Sequence, residues 1–379
     1  VACDSGQSGW RQVNKRFLVL VTDAFGSPGG MAKFNRDLLN SLDSYPDCKS
    51  IVVLPMKIPG ETGSIPARIS YCKDGLNGKF PYIVSAIKAA WNNQFDLIIC
   101  GHINLLPVAW ITHILTRAPL VLIIHGIDAW QPSRSRLRNY FAKKIKFLIS
   151  VSELTKNRFI NWTAINNYKS FILPNSIALE KFGTGSKNPQ LVYRYKLDNK
   201  RVLMTLGRLS AEERYKGIDE VLDVLPELTA IIPNLVYMVV GDGTDKPRLQ
   251  DKVARLQLGE AVIFTGTVPE ELKADYYRLA DVFVMPGYGE GFGIVYLEAM
   301  ACGIPVIASK IDASREALRG GDLGILVDPH NAIEIKQGIL EALKKPKGIP
   351  EGLEYFSYAN FEVRTHQLID SIMTVNTHK

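Results

Sequence analysis

The sequence predicts an α/β protein built from two doubly wound parallel sheets. Short β-branched runs alternate with helical patterns along nearly the whole chain. The alternation pauses at a polar, glycine-containing stretch, residues 183–200, and then starts again. At 379 residues the chain also exceeds what one ordinary core organises, so the natural division is two domains, 1–182 and 183–359.

Residues 17–22 read as the first strand, followed by the turn-rich segment 23–30. From Met31 the pattern turns helical, with Phe34, Leu38, Leu39 and Leu42 on one face. A helix start after a glycine turn points free N–H groups and a positive dipole end at any anion held there. Gly29 and Gly30 alone do not separate that reading from an empty tight turn. Further strands are expected at 51–54, 68–72, 96–100, 120–124 and 147–151, with helices at 80–91, 105–115 and 152–160. A helix over 133–146 carries Arg134, Arg136, Arg138, Lys143, Lys144 and Lys146 beside an apolar stripe of Leu137, Tyr140, Phe141 and Ile145. Such a helix is either a membrane-surface element or a solvated basic face. The second series has strands at 202–206, 236–240, 262–264, 282–286, 306–309 and 325–327. Its helices fall at 217–230, 246–257, 270–280, 294–302 and 332–344, and a last helix, 361–375, has no strand after it.

Apolar residues make up 46% and charged residues 22%, the composition of a soluble globular protein. The net charge of +7 fits a nucleic acid, an anionic membrane surface or a phosphorylated substrate. Five scattered cysteines without a C-x-x-C pair speak against a disulfide framework or zinc site and for a reducing compartment. Residues 1–16 are mostly polar and show no signal-peptide pattern. The apolar region 95–125 is broken by His102, Asn104, Pro107, His113 and Arg117, so it reads as strand, helix, strand and not as a span. A cytoplasmic protein is expected, with attachment to the cytosolic membrane face through 133–146 as a further expectation.

The chemistry concentrates in 281–309. A strand-length run is followed by Gly287, Gly289, Gly291 and Gly293, with Glu290 among them; a helix then carries Glu298 and is stopped by Gly303 and Pro305. Glu290 thus falls at the carboxyl end of a strand, where open parallel sheets bind ligands. Arg208 directly follows strand 202–206, and Lys216 precedes a helix. Together they suit a diphosphate, unless both are ordinary loop cations. His125 and Asp128 follow strand 120–124. A G-x-G-x-x-G with the right helix, a G-x-x-x-x-G-K-[ST] and a D-x-D are all absent. Dinucleotide oxidoreductases, P-loop ATPases and metal–diphosphate sites are thereby disfavoured.

These residues resemble the signature of the retaining glycosyltransferases of family four. Glu290 and Glu298, seven residues between them, lie in Gly-Glu-Gly-Phe-Gly-Ile-Val-Tyr-Leu-Glu-Ala-Met-Ala-Cys-Gly-Ile-Pro-Val. Gly207-Arg208-Leu209 with Lys216-Gly217, Gly241-Asp242-Gly243, His125-Gly126 and Pro174-Asn175-Ser176 match further stations of that family in the same order. The resemblance implies the GT-B fold: two Rossmann-like domains facing across a cleft, the first holding an acceptor and the second a nucleotide-sugar. The final helix, 360–379, would cross back to complete the first domain. Glu298 would hold the ribose hydroxyls, and Arg208 and Lys216 the diphosphate, with Gly29 and Gly30 approaching from the opposite domain. Glu290 and the backbone of Gly291, Phe292, Gly293 and Ile294 would hold the sugar. The backbone at Val268 would read the base, and His125 would lie at the reacting centre. The implied reaction is metal-free transfer of a hexose with retention, by a front-face route, from a donor whose usual base is uridine. Glu290 as a covalent nucleophile is the second mechanism. The implied acceptor is a glycan or lipid-linked glycan. A nucleotide-sugar epimerase or hydrolase of the same fold is the alternative, and a basic nucleic-acid-binding protein is a remoter one, since no nucleic-acid module is recognisable.

Overall fold

The computed structural model describes residues 14–376 apart from Asn77 and Asn167. Cys3 and most of the polar amino-terminal stretch lie outside the described residues, as do 377–379. The first half holds strands β1 (Lys15–Val21), β2 (Cys48–Pro55), β3 (Ile69–Tyr71), β4 (Leu97–Cys100), β5 (Leu120–Ile124), β6 (Phe147–Ser150) and β7 (Lys169–Ile172). Helices α1 (Gly30–Asp43), α2 (Lys79–Asn92), α3 (Leu106–Thr116), α4 (Arg136–Ala142) and α5 (Glu153–Thr163) connect them. The second half runs α6 (Pro189–Tyr195), β8 (Arg201–Leu206), α7 (Ile218–Ile231), β9 (Leu235–Val240), α8 (Lys246–Arg255) and β10 (Val262–Gly266). It continues through α9 (Lys273–Leu279), β11 (Val282–Val284), α10 (Ile294–Ala301), β12 (Val306–Ser309), α11 (Ser314–Ala317), β13 (Ile325–Val327) and α12 (Ala332–Ala342) to α13 (Tyr358–Asn376).

Every strand pair is parallel, in two sheets ordered β3-β2-β1-β4-β5-β6-β7 and β10-β9-β8-β11-β12-β13. Helices cover both faces, so central strands such as β4, β5 and β9 are buried along their whole length and read as unbroken apolar runs. In each sheet the chain reverses direction of travel once, between β1 and β4 and between β8 and β11. Those switch points leave crevices at the strands' carboxyl ends.

The structure corrects three sequence expectations. The basic helix expected over 133–146 is only α4, seven residues long. Ser133 donates its N–H and hydroxyl to Asn139 Oδ1 (both 2.9 Å), and Ser135 caps the Arg138 amide, so side-chain bonds hold 133–135 in a turn. Its apolar stripe also divides: Leu137 and Tyr140 are exposed, Phe141 stacks on Trp110 at 4.9 Å, and Ile145 is buried. The polar junction 183–200 contains α6, started by the Asn188 cap and Pro189, two helix-start signals read as loop residues. The edge strand β7 was not anticipated, because four half-exposed residues carry little pattern.

After α12 the chain returns to the first half. There α13 lies on α1: Phe361 packs edge-on to Phe34 at 5.6 Å, and Tyr45 donates to Asp370 Oδ1 at 2.6 Å. The outgoing and returning crossings touch where Ile177 N–H donates to Phe356 O at 2.8 Å.

Candidate active site

The two switch-point crevices face each other and enclose a cavity of about 280 Å³. Gly30, Met31, His125 and Asn175 line it from the first half. Leu206 to Arg208, Glu213, Tyr215, Lys216, Glu290 and Phe292 to Val295 line it from the second. Two helices begin at its wall, α1 after Gly29 and α10 after Gly293; neither has a side-chain cap or an acid in its first turn. Uncapped N–H groups and two positive dipole ends therefore face the same space, where an anion satisfies them best. The two walls are close: a Cβ at Gly30 would lie 3.5 Å from Ile294 Cγ2.

Arg208 and Lys216 meet at this cavity, as their positions after β8 suggest. Between them stands Glu213, which pairs with Arg208 and with Lys216 (2.8 Å). Burial pushes the Glu213 carboxyl up, but the two cations outweigh it and hold it below its ordinary value. The sequence reading missed Glu213 because the turn Ala211–Lys216 looks like any charged loop. It also missed Tyr215, whose ring packs under the glycine loop. Burial raises the Tyr215 phenol, and Glu290 and Glu213 raise it further, so it remains a proton donor among carboxylates.

The glycine loop is shaped by its neighbours as much as by any ligand. A Cβ at Gly289 would fall 2.6 Å from the Tyr215 ring, and one at Gly291 would fall 2.1 Å from His125 O, across the cleft. Asp312 fixes the loop from below: its Oδ2 accepts the Glu290 N–H at 2.9 Å, and the next residue, Ala313, donates to Glu290 O at 3.1 Å. The Glu290 carboxyl itself makes no hydrogen bond or ion pair among the described residues and faces the cavity. Burial pushes it above its ordinary value; Lys216 pulls it down, and Asp312 and Glu213 push it up.

On the opposite wall the His125 ring bonds through Nε2 to Gly101 O (2.9 Å) and packs against Phe34 at 5.1 Å. A carbonyl only accepts, so Nε2 carries the proton and Nδ1 keeps its lone pair. Burial lowers the ring to about 4, so His125 is a neutral acceptor at neutral pH. Behind it, His102 Nε2 lies 3.6 Å from Asp128 Oδ2. Burial drives both toward their neutral forms, His102 down to about 4 and Asp128 up to about 7. Near neutrality this is a neutral imidazole beside a carboxyl in mid-titration, and Asp128 Oδ2 has no hydrogen-bond partner.

The remaining expected residues lie off the cavity wall. Glu298 is 2% exposed on α10, accepting from Tyr277 Oη at 2.7 Å and pairing with Lys273 at 3.3 Å. Burial pushes its carboxyl up against the pull of Lys273 and Tyr277, while Glu298 and Glu270 outweigh burial at Lys273 and secure its charge. Val268 is half-buried beyond β10; Gly29, which is exposed, and Gly291, which is half-buried, are chain neighbours of lining residues and do not line the cavity themselves. No three His, Cys, Asp or Glu side chains among the described residues gather as a metal site.

Comparison with known proteins decides the family. The model described as "Glycosyltransferase Family 4" matches residues 28–181, and that of "Glycosyl transferases group 1" matches 194–361. The two models together span most of the chain, which belongs to the glycosyltransferase families they describe. One relative is the GDP-mannose-dependent alpha-(1-6)-phosphatidylinositol monomannoside mannosyltransferase of Mycolicibacterium smegmatis. It is 33% identical over 183 residues, which is 46% of this chain and 47% of the relative. The phosphatidyl-myo-inositol mannosyltransferase of Mycobacterium tuberculosis is 36% identical over 177 residues, 45% of this chain and 44% of its own. The chain thus spans about half the length of the curated relatives it matches. Among solved structures, Anabaena HepE in complex with UDP-glucose superposes with a TM-score of 0.73 at 20% identity, covering 94% of this chain and 99% of that one. Sucrose-phosphate synthase from Thermosynechococcus elongatus gives 0.69 at 20% identity, covering 96% and 98%. At that identity the likeness establishes the fold, which is GT-B.

Proposed function

We propose that the chain transfers a hexose from a nucleotide-sugar to a glycan or lipid-linked acceptor, with retention and without a metal. The observation that carries this reading is the cavity where two uncapped helix starts, Arg208 and Lys216 meet an unpaired Glu290 and a neutral His125. The helix ends and cations would hold the diphosphate and stabilise its negative charge as the glycosidic bond breaks. Donation by Tyr215 and acceptance by Glu290 and His125 would orient the sugar, and the departing diphosphate would take the acceptor's proton. Glu298 would turn to the ribose on donor binding, exchanging Tyr277 and Lys273 for the diol.

The base is open between guanosine, named for the relative described above, and uridine, bound in the structural neighbour. A turnover panel of GDP-mannose, UDP-glucose and UDP-N-acetylglucosamine, each with and without lipid-linked acceptors and with EDTA, tests the reading. Transfer in EDTA supports it. Abolition by chelator removes the metal-free mechanism, and rapid consumption of donor alone favours an epimerase or hydrolase.

An anionic membrane surface is proposed as the place of the acceptor. No helix is long and apolar enough to cross a membrane among the described residues. The packed pair α3 and α4, however, exposes Ile111, Ile114, Leu115, Leu137 and Tyr140 beside exposed Arg134, Arg136 and Lys143. Arg138 instead bonds Ser133 Oγ at 2.8 Å and belongs to the turn. Charge reversal of Arg134, Arg136 and Lys143 should abolish co-sedimentation with phosphatidylserine vesicles. If the unmodified chain does not sediment, soluble acceptors take precedence.

A further inference from the structure

We infer that Glu316 is a positioning residue: a latch across the cleft that couples closure of the two halves to the placement of Glu290. The inference rests on the proposed role of Glu290, though its structural part does not.

The first amides of a helix have no partner within the helix. In α5, of the first half, Ser152 Oγ accepts the Thr155 N–H at 3.2 Å and so serves one of them. The two before it are served from the other half: Glu316 Oε2 accepts the Glu153 N–H at 2.7 Å, and Oε1 accepts the Leu154 N–H at 2.9 Å. Both oxygens of one carboxylate are thus engaged, its charge set at the positive end of an 11-residue helix. Beside this contact Ser152 Oγ donates to Gly291 O at 2.9 Å, a second tie between the halves.

What distinguishes Glu316 from an ordinary surface contact is where it is mounted. It sits on α11, the one-turn helix opened by Ser314, whose hydroxyl donates to Asp312 Oδ1 at 2.6 Å. Asp312 and Ala313 in turn grip the Glu290 peptide on both its N–H and its C=O. A closed ring of bonds therefore runs from α5 through Glu316, α11, Asp312 and the Glu290–Gly291 peptides to Ser152, and back to α5. When the halves part, water replaces Glu316 at the two amides. The net cost is small, which suits a contact made and broken in every cycle. When they close, the ring fixes the loop carrying Glu290 against the wall carrying His125.

Amide exchange on the full chain tests this, comparing the unmodified protein with Glu316→Gln and Glu316→Ala. Exchange at Glu153 and Leu154 should rise about tenfold in Glu316→Ala and by less in Glu316→Gln, which keeps one acceptor oxygen. Gly291 should follow, and residues 159–163 should not change. Equal exchange at Glu153 and Leu154 in all three proteins overturns the latch. So does a rise extending through 159–163, since α5 itself would then have loosened. Small-angle scattering gives a second readout: Glu316→Ala should have the larger radius of gyration, and identical radii overturn the inference. In the transfer assay Glu316→Ala should lower kcat while nucleotide-sugar affinity stays within about threefold. An unmodified chain inert with every donor sinks the functional reading and leaves the exchange result standing.

Discussion

Glu290 and Glu298 belong to one loop–helix unit, eight residues apart, and the fold treats them in opposite ways. The peptide of Glu290 is gripped by Asp312 and Ala313 while its carboxyl faces the cavity without a partner. The carboxyl of Glu298 is buried and held by Tyr277 and Lys273. Helix α10 starts between them, and its first residues turn one acid outward to the cleft and the other inward to α9. Two nearby acids therefore need not make an acid–base couple: one faces the cavity without a partner, and the other is built into the domain.

That contrast can be broken by mutation. Glu290→Gln should cost transfer roughly 10²–10³-fold in kcat and leave the melting temperature unchanged or higher, because a carboxyl pushed up by burial disfavours the folded state. Full activity, or a clear loss of stability, would erase the distinction. Glu298→Ala should behave in reverse, costing about 2–4 kcal/mol in denaturant unfolding through an orphaned Tyr277 hydroxyl and an under-compensated Lys273. If Glu298 also takes the ribose, calorimetry on Glu298→Gln should show weaker donor binding by about 1–3 kcal/mol.

The opposite wall offers a pH test with a definite sign. Asp128 is raised from 3.8 to about 7, so the folded chain keeps a proton that the unfolded chain has lost. Stability from this group falls as pH rises from about 4 to about 7. His102 and His125 are lowered from 6.5 to about 4, so their contribution is lost as pH falls through that window. Asp128→Asn should gain on the unmodified protein between pH 4 and 7, by up to about 4 kcal/mol. Parallel stability profiles would show that Asp128 titrates normally. The smallest effect is expected at the cations: Glu213→Gln should tighten nucleoside diphosphate binding about two- to fivefold, since it frees Lys216 and an Arg208 that is already exposed and gives up little. Weaker binding would make Glu213 part of the ligand site and not its stand-in.

The strands were largely legible in the sequence, β5, β12 and β13 to the residue, because buried parallel strands are continuous apolar runs bounded by turn residues. The placement of Arg208, Lys216 and Glu290 followed from the same pattern, since strand ends fix where loops emerge. Asp312 and Glu316 were not legible: their partners lie on another strand's loop or in the other half, and pattern along the chain does not encode pairing across it. Glu213 pairs within its own loop, but a short charged turn carries no pattern that marks one acid out. Alternating glycines leave a loop's backbone free to approach a ligand closely. At Gly289 and Gly291 the structure supplies a second cause, the Tyr215 ring and the His125 carbonyl.

The meeting of Ile177 and Phe356 has a mechanical consequence. A chain that passed once between two bodies would let one swing and twist about the other freely. Here it passes twice, and the two passages are pinned side by side. The pair then acts like the pin of a door: swivel about one line is cheap, and shear or twist must break the pin. Any swing about that line would carry the wall with His125 and the loop with Glu290 apart and back along the same arc, so registration of the site on return would be written into the backbone far from it.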